Sequence, residues 1–140
     1  MKRKPLLLAL VATSLFLTAP TSAAIVSPTV RLVIAHVAAH CHVWSTATRT
    51  LGPSTKITVR RGTRVVIRAD CPMDFDFAQT RGPRLALGDP RTYAGSTRAI
   101  TFRKVGVYGL TATNVQTPEE RGLVTLGVPN TLTLTVVVTR

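Results

Sequence analysis

A two-residue hydrophobic period, clearest near the C-terminal end, constrains this chain more than any other feature. Leu132, Leu134, Val136 and Val138 alternate with Thr131, Thr133 and Thr135. Successive side chains of an extended strand point to opposite faces, so the pattern describes a strand with one apolar face and one hydroxyl face. The same period recurs upstream. Ile57 and Val59 alternate with Lys56, Thr58 and Arg60; after a turn at Arg61-Gly62, Val65, Ile67 and Ala69 alternate with Arg64, Val66 and Arg68. Ile100 and Phe102 alternate with Thr101 and Arg103. Beyond Lys104-Val105-Gly106, Tyr108, Leu110 and Ala112 face one way and Gly109, Thr111 and Thr113 the other. Short strands each with one apolar face must cover that face with a second layer, and no long helical period competes with them. The expectation is an all-β fold, an antiparallel or mixed sandwich rich in β-branched residues.

Two regions read less simply. Val30 to Val43 fits one strand, with Val33, Val37, Ala39, Cys41 and Val43 on one face and Ile34, His36, His40, His42 and Trp44 on the other. It also fits a helix, in which His36 and His40 fall one turn apart. The strand is adopted because Cys41 then faces the core and can meet Cys71. Gln79 to Ser96, rich in Gly, Pro and Arg, reads as a long loop. Thr113 to Pro129 reads as a second long connection, with a short strand at Leu123 to Leu126 and Glu119 and Glu120 capping a turn after Pro118.

The N-terminal stretch has the three parts of a secretory signal: basic Lys2, Arg3 and Lys4, an apolar run from Leu6 to Leu17, and small residues to Ala24. Cleavage is expected after Ala23 or Ala24, which makes residues 1–24 a Sec-type signal peptide and 25–140 a single secreted or extracytoplasmic domain. The apolar run is short for a membrane span, no stop-transfer pattern follows, and no transmembrane segment is expected in the mature chain. Loss of the signal removes three of the 18 basic residues and leaves 15 against six acids, a mature charge of about +9. Such a protein is drawn to anionic envelope polymers or a phospholipid surface, although scattered arginines also simply solubilise a β-rich surface. The two mature cysteines, Cys41 and Cys71, are expected to pair in an oxidising compartment and to stabilise the fold by about 3–4 kcal/mol.

Pro53 to Val65 resembles the early hairpin of the cupredoxins, the plastocyanin-like and azurin-like blue copper domains. Gly95-Ser96-Thr97, Ile100-Thr101-Phe102 and Gly106-Val107-Tyr108 resemble the segment feeding their copper-ligand loop, and the terminal strand resembles the one closing their sandwich. The resemblance covers roughly Lys56 to Val138. It implies a Greek-key β-sandwich with functional loops gathered at one end. It also implies where type 1 copper ligands would stand, and there the sequence departs from the family. Asp70-Cys71-Pro72-Met73-Asp74-Phe75 puts Met73 where the first histidine is expected. Ala112 stands at the thiolate position, and Tyr108 to Gly127 contains no Cys, His or Met. A type 1 site takes its charge transfer from a thiolate, so the family's electron-transfer role is not expected here and no cofactor is expected.

Other chemistry is sparse. His36, His40 and His42, with Cys41, form the one soft-ligand cluster, which as an alternative would hold copper(II) or zinc. Asp70, Asp74 and Asp76 lack the glycine and distal glutamate of an EF-hand. No nucleophile elbow, phosphate-cradling loop or His-Glu-x-x-His is present, so an enzyme is not expected. Nucleic-acid binding needs aromatic platforms among the cations, and the few aromatics serve a core better, with Trp44 the one whose exposure matters. The reading is a non-catalytic binding or envelope-associated module. Its working surface is expected at Met73 to Arg91 and Thr113 to Asn130, aided by basic strand faces around Arg60, Arg64 and Arg68.

Overall fold

The structure, a computed structural model, describes residues 27–37, 40–115 and 131–140, with side chains at all of these except 40 and 41. The signal segment, the reading of Leu123 to Leu126 as a strand, and Glu119 and Glu120 lie outside the described residues. Among those residues every regular element is a strand: β1 (Thr29–Val37), β2 (His40–Ser45), β3 (Thr50–Gly52), β4 (Ser54–Arg60), β5 (Arg64–Asp70), β6 (Phe75–Arg81), β7 (Arg91–Thr92), β8 (Thr97–Thr101), β9 (Gly106–Asn114) and β10 (Thr131–Thr139). They form two five-stranded sheets, ordered β3-β2-β1-β5-β8 and β4-β10-β9-β6-β7. The chain crosses between sheets at β3–β4, β4–β5, β5–β6, β7–β8 and β8–β9. This is the Greek-key sandwich that the sequence implies.

The two-residue period places the core. Leu132, Leu134, Val136 and Val138 are buried and face Val65, Ile67 and Ala69 of the other sheet across a layer filled by Phe75, Phe77, Phe102 and Tyr108. Each of the Leu, Val, Ile and Phe side chains contributes about 1.5–3 kcal/mol of burial. Trp44 is fully buried, and its Nε1–H donates to the Thr133 carbonyl 3.0 Å away, tying β2 of one sheet to β10 of the other. It is a core anchor, with no exposed face for a ligand.

Val30 to Val43 is a hairpin, which corrects the single-strand reading. The chain reverses after Val37, and β1 pairs antiparallel with β2 through Ile34↔Trp44 and Ala35↔Val43, with a register shift before Val37↔His40. The residues turned to the core include Leu32, Ile34, His42 and Trp44, so the inward face is the one that the single-strand reading set opposite Cys41. Gln79 to Ser96 is also more ordered than a loop, since β6 and β7 take part of it. The strand β6 escapes the sequence pattern because its alternation is only Phe75-Asp76-Phe77 long, and the residues that follow, Ala78 to Arg81, are small or polar.

Two parallel pairs set the polarity of the molecule: β1 with β5 (Thr29↔Arg64 to Ala35↔Asp70) and β4 with β10 (Thr133↔Ser54 to Thr139↔Arg60). One end therefore gathers the Arg60–Arg64 turn, the Thr101–Gly106 turn, the start of β1 and the end of β10. The other gathers residues 71–74, 93–96 and the end of β9.

Candidate functional site

At the second end stand Met73 and Ala112, the positions that the sequence resemblance sets against copper ligands. Ala112 is fully buried and pairs with Phe77 of β6 and Leu132 of β10. Its methyl group offers no electron pair. Met73 is half-buried against the core, and its Sδ accepts a hydrogen bond from the Asn114 side-chain amide at 3.2 Å. One thioether engaged by an amide and one methyl do not fit a type 1 copper ion, which needs a thiolate and imidazoles.

Cys71, just beyond β5, is a buried free thiol. The Cys41 side chain lies outside the described residues, so the expected disulfide with Cys41 falls outside them too. Burial raises the Cys71 pKa, with a smaller raising contribution from the Asp70 charge and a backbone hydrogen bond from Met73 acting the other way.

The two histidines with described side chains differ in burial. His42 is buried, with its ring edge-on to Phe75 at 5.3 Å between centroids, whereas His36 is exposed near the hairpin turn. The His40 side chain is outside the described residues. The aspartates also diverge: Asp70 pairs with Arg68 at 3.2 Å, Asp74 accepts from the Ala94 amide at 2.9 Å, and Asp76 pairs with Arg91 at 2.8 Å. That last pair raises the Arg91 pKa, chiefly through its hydrogen bond. Among the described residues no group of three His, Cys, Asp or Glu side chains is placed to hold a metal ion.

The opposite end is different in kind. Arg60, Arg61 and Arg64 flank one turn, Arg103 and Lys104 sit on the other, and all are exposed. Arg84 and Arg140 join them from the loop after β6 and from the chain end. Every aspartate of the described residues lies elsewhere, so among the described residues no side-chain carboxylate neutralises this group. The turns are held rigidly: Gly62 N–H donates to Phe102 O (2.7 Å), Phe102 N–H to Thr63 O (3.1 Å), Arg61 N–H to Thr139 O (2.8 Å) and Arg64 N–H to Pro28 O (2.9 Å). Tyr108 stacks edge-on to Phe102 and its hydroxyl donates to the Lys104 carbonyl at 2.7 Å, fixing the second turn from beneath. Arg84, Arg103 and Lys104 line a cleft of about 390 Å³ together with Thr101 and Tyr108. A concave wall of one charge sign focuses its field and draws anions.

The sequence-predicted trio of Arg60, Arg64 and Arg68 is thus divided. Arg60 and Arg64 share a turn although their strands lie in opposite sheets, and Arg68 sits toward the far end beside Asp70. Arg61, Arg84, Arg103, Lys104 and Arg140 are the cations that strand-face reasoning passes over. Their signal is position: both basic clusters fall on hairpin-like turns separated by strands that bring the chain back to the same end.

Solved structures similar to this chain include the reduced form of an amicyanin mutant at 15% identity, covering 83% of this chain and 87% of that one with a TM-score of 0.47. An oxidized form of another amicyanin mutant is 16% identical over 79% and 81%, with a TM-score of 0.45. A cysteine protease inhibitor from Entamoeba histolytica is 13% identical over 81% and 97%, with a TM-score of 0.46. The likeness is one of β-sandwich shape and carries no chemistry with it. No protein-family model matches the sequence, and no curated protein matches it.

Proposed function

We propose that this protein is an exported, non-catalytic binding module that holds an anionic partner at the basic end of its sandwich and does not use a type 1 copper ion. The observation that carries the reading is segregation of charge: the exposed cations of two interlocked turns stand together, while the described aspartates sit elsewhere with their own partners. Export rests on the signal-like N-terminus. The absence of type 1 copper rests on Ala112 and on the engaged Met73 thioether. The alternative, copper or zinc on His36, His40 and His42, has less support, since His42 lies in the core and His36 at the surface.

The test is titration of the purified exported protein with polyphosphate. An Arg60→Gln, Arg103→Gln, Lys104→Gln variant is compared with an Arg31→Gln, Arg49→Gln, Lys56→Gln variant, three charges removed in each. We expect the first to bind at least about tenfold more weakly and the second to stay within about threefold of wild type at the same salt concentration. Equal losses would mean that net charge alone governs binding, and would end the proposal. The copper half of the reading is checked in the same preparation: copper(II) should produce no intense visible band.

A further inference from the structure

The basic end is not purely polar. Val105 is 48% exposed at the tip of the second turn, between Lys104 and Gly106, and Val107 is 45% exposed on the adjoining outer face of β9. Of the large hydrophobic side chains left exposed among the described residues, only Tyr93 lies away from this end. The tip is also preorganised, because Tyr108 holds the Lys104 carbonyl and the two turns exchange backbone hydrogen bonds. A soluble polyanion would reward the cations and leave the valines in water. A lipid interface rewards both, since apolar side chains settle among the acyl-headgroup boundary while cations meet the anionic surface.

Resting on the binding function proposed above, we infer that the partner is an anionic phospholipid surface. The protein stands on it end-on, with Val105 entering the headgroup layer. Arg60, Arg61 and Arg64 lie over the surface, and the cleft between Arg84, Arg103 and Lys104 takes a lipid phosphate. The start of β1 reaches the same end, where Pro28 accepts from Arg64, so the described chain emerges at the surface it would occupy.

Sedimentation with phosphatidylglycerol–phosphatidylcholine vesicles, against pure phosphatidylcholine vesicles, tests this. Wild type should bind the anionic vesicles and not the zwitterionic ones. Arg103→Gln and Lys104→Gln should each weaken binding about fivefold. Val105→Thr, an exposed and nearly isosteric change that leaves charge and fold intact, should weaken vesicle binding several-fold while polyphosphate binding stays at the wild-type level. Vesicle binding indifferent to Val105→Thr, or polyphosphate binding without vesicle binding, overturns the lipid assignment and leaves the anionic-partner reading standing. Failure to bind either probe overturns both.

Discussion

Trp44 and Cys71 show how single residues here are committed to the core. The Trp44 indole bridges the sheets through its hydrogen bond to Thr133 and packs edge-on against Phe77 at 6.5 Å. Trp44→Ala should cost about 3–5 kcal/mol in urea unfolding, and Trp44→Phe less, because the ring volume stays and only the hydrogen bond goes. Fluorescence of the folded protein should be blue-shifted and shielded from iodide. Cys71 is buried with its pKa raised, first by desolvation. The folded state thus prefers the neutral thiol. Its contribution to stability is whole below the ordinary thiol value of 9.0 and is lost as pH rises from there through the higher folded value. Wild type should lose urea resistance above that pH more steeply than Cys71→Ala. A thiol reagent should react slowly with native protein and label both cysteines on unfolding without reductant. Absence of thiols in the unfolded protein would instead establish the Cys41–Cys71 bond.

At the level of elements, side chains that are polar in sequence do structural work in the segment that reads as a loop. Gln79 donates to the carbonyls of Arg81, Gly82 and Pro83 and accepts from the Leu85 amide at 2.9 Å, closing the turn after β6. Gly82 allows that turn: it has φ of 97°, and a Cβ there would lie 2.5 Å from the Val107 carbonyl oxygen. Arg98 projects inward from β8, lies 5.0 Å from the Phe77 ring centroid, and donates to the carbonyls of Leu87, Asp89 and Arg91 and to the Thr92 hydroxyl. Burial lowers its pKa while the Asp89 charge raises it. Gly82→Ala should destabilise the protein by roughly 2–3 kcal/mol. Arg98→Gln should raise amide exchange across residues 85–92 before it unfolds the sandwich, and uniform exchange would contradict that role. The strands with strict alternation were readable because each buries one apolar face against the other sheet. The hairpin of β1 and β2 was obscured, since a bulge and a reversal between similar apolar residues leave the composition of one continuous strand. No period announces an inward arginine, so β8 and its loop were only half legible.

For the whole molecule, sheet order turns a dispersed list of arginines into a polar body. The sequence shows the excess of cations, but only the two parallel strand pairs show which turns share an end. The positions that the sequence resemblance sets against copper ligands were legible as chemistry, because Ala112 has no side-chain donor in any fold. The basic end was not, because its residues come from four separate parts of the chain. The most direct measurement is a two-dimensional amide NMR titration of the labelled protein with polyphosphate. Binding at the basic end predicts shift changes concentrated at residues 60–64, 84 and 101–106, vanishing as salt is raised. Changes concentrated instead at residues 72–74, 93–96 and 113–115 would contradict it.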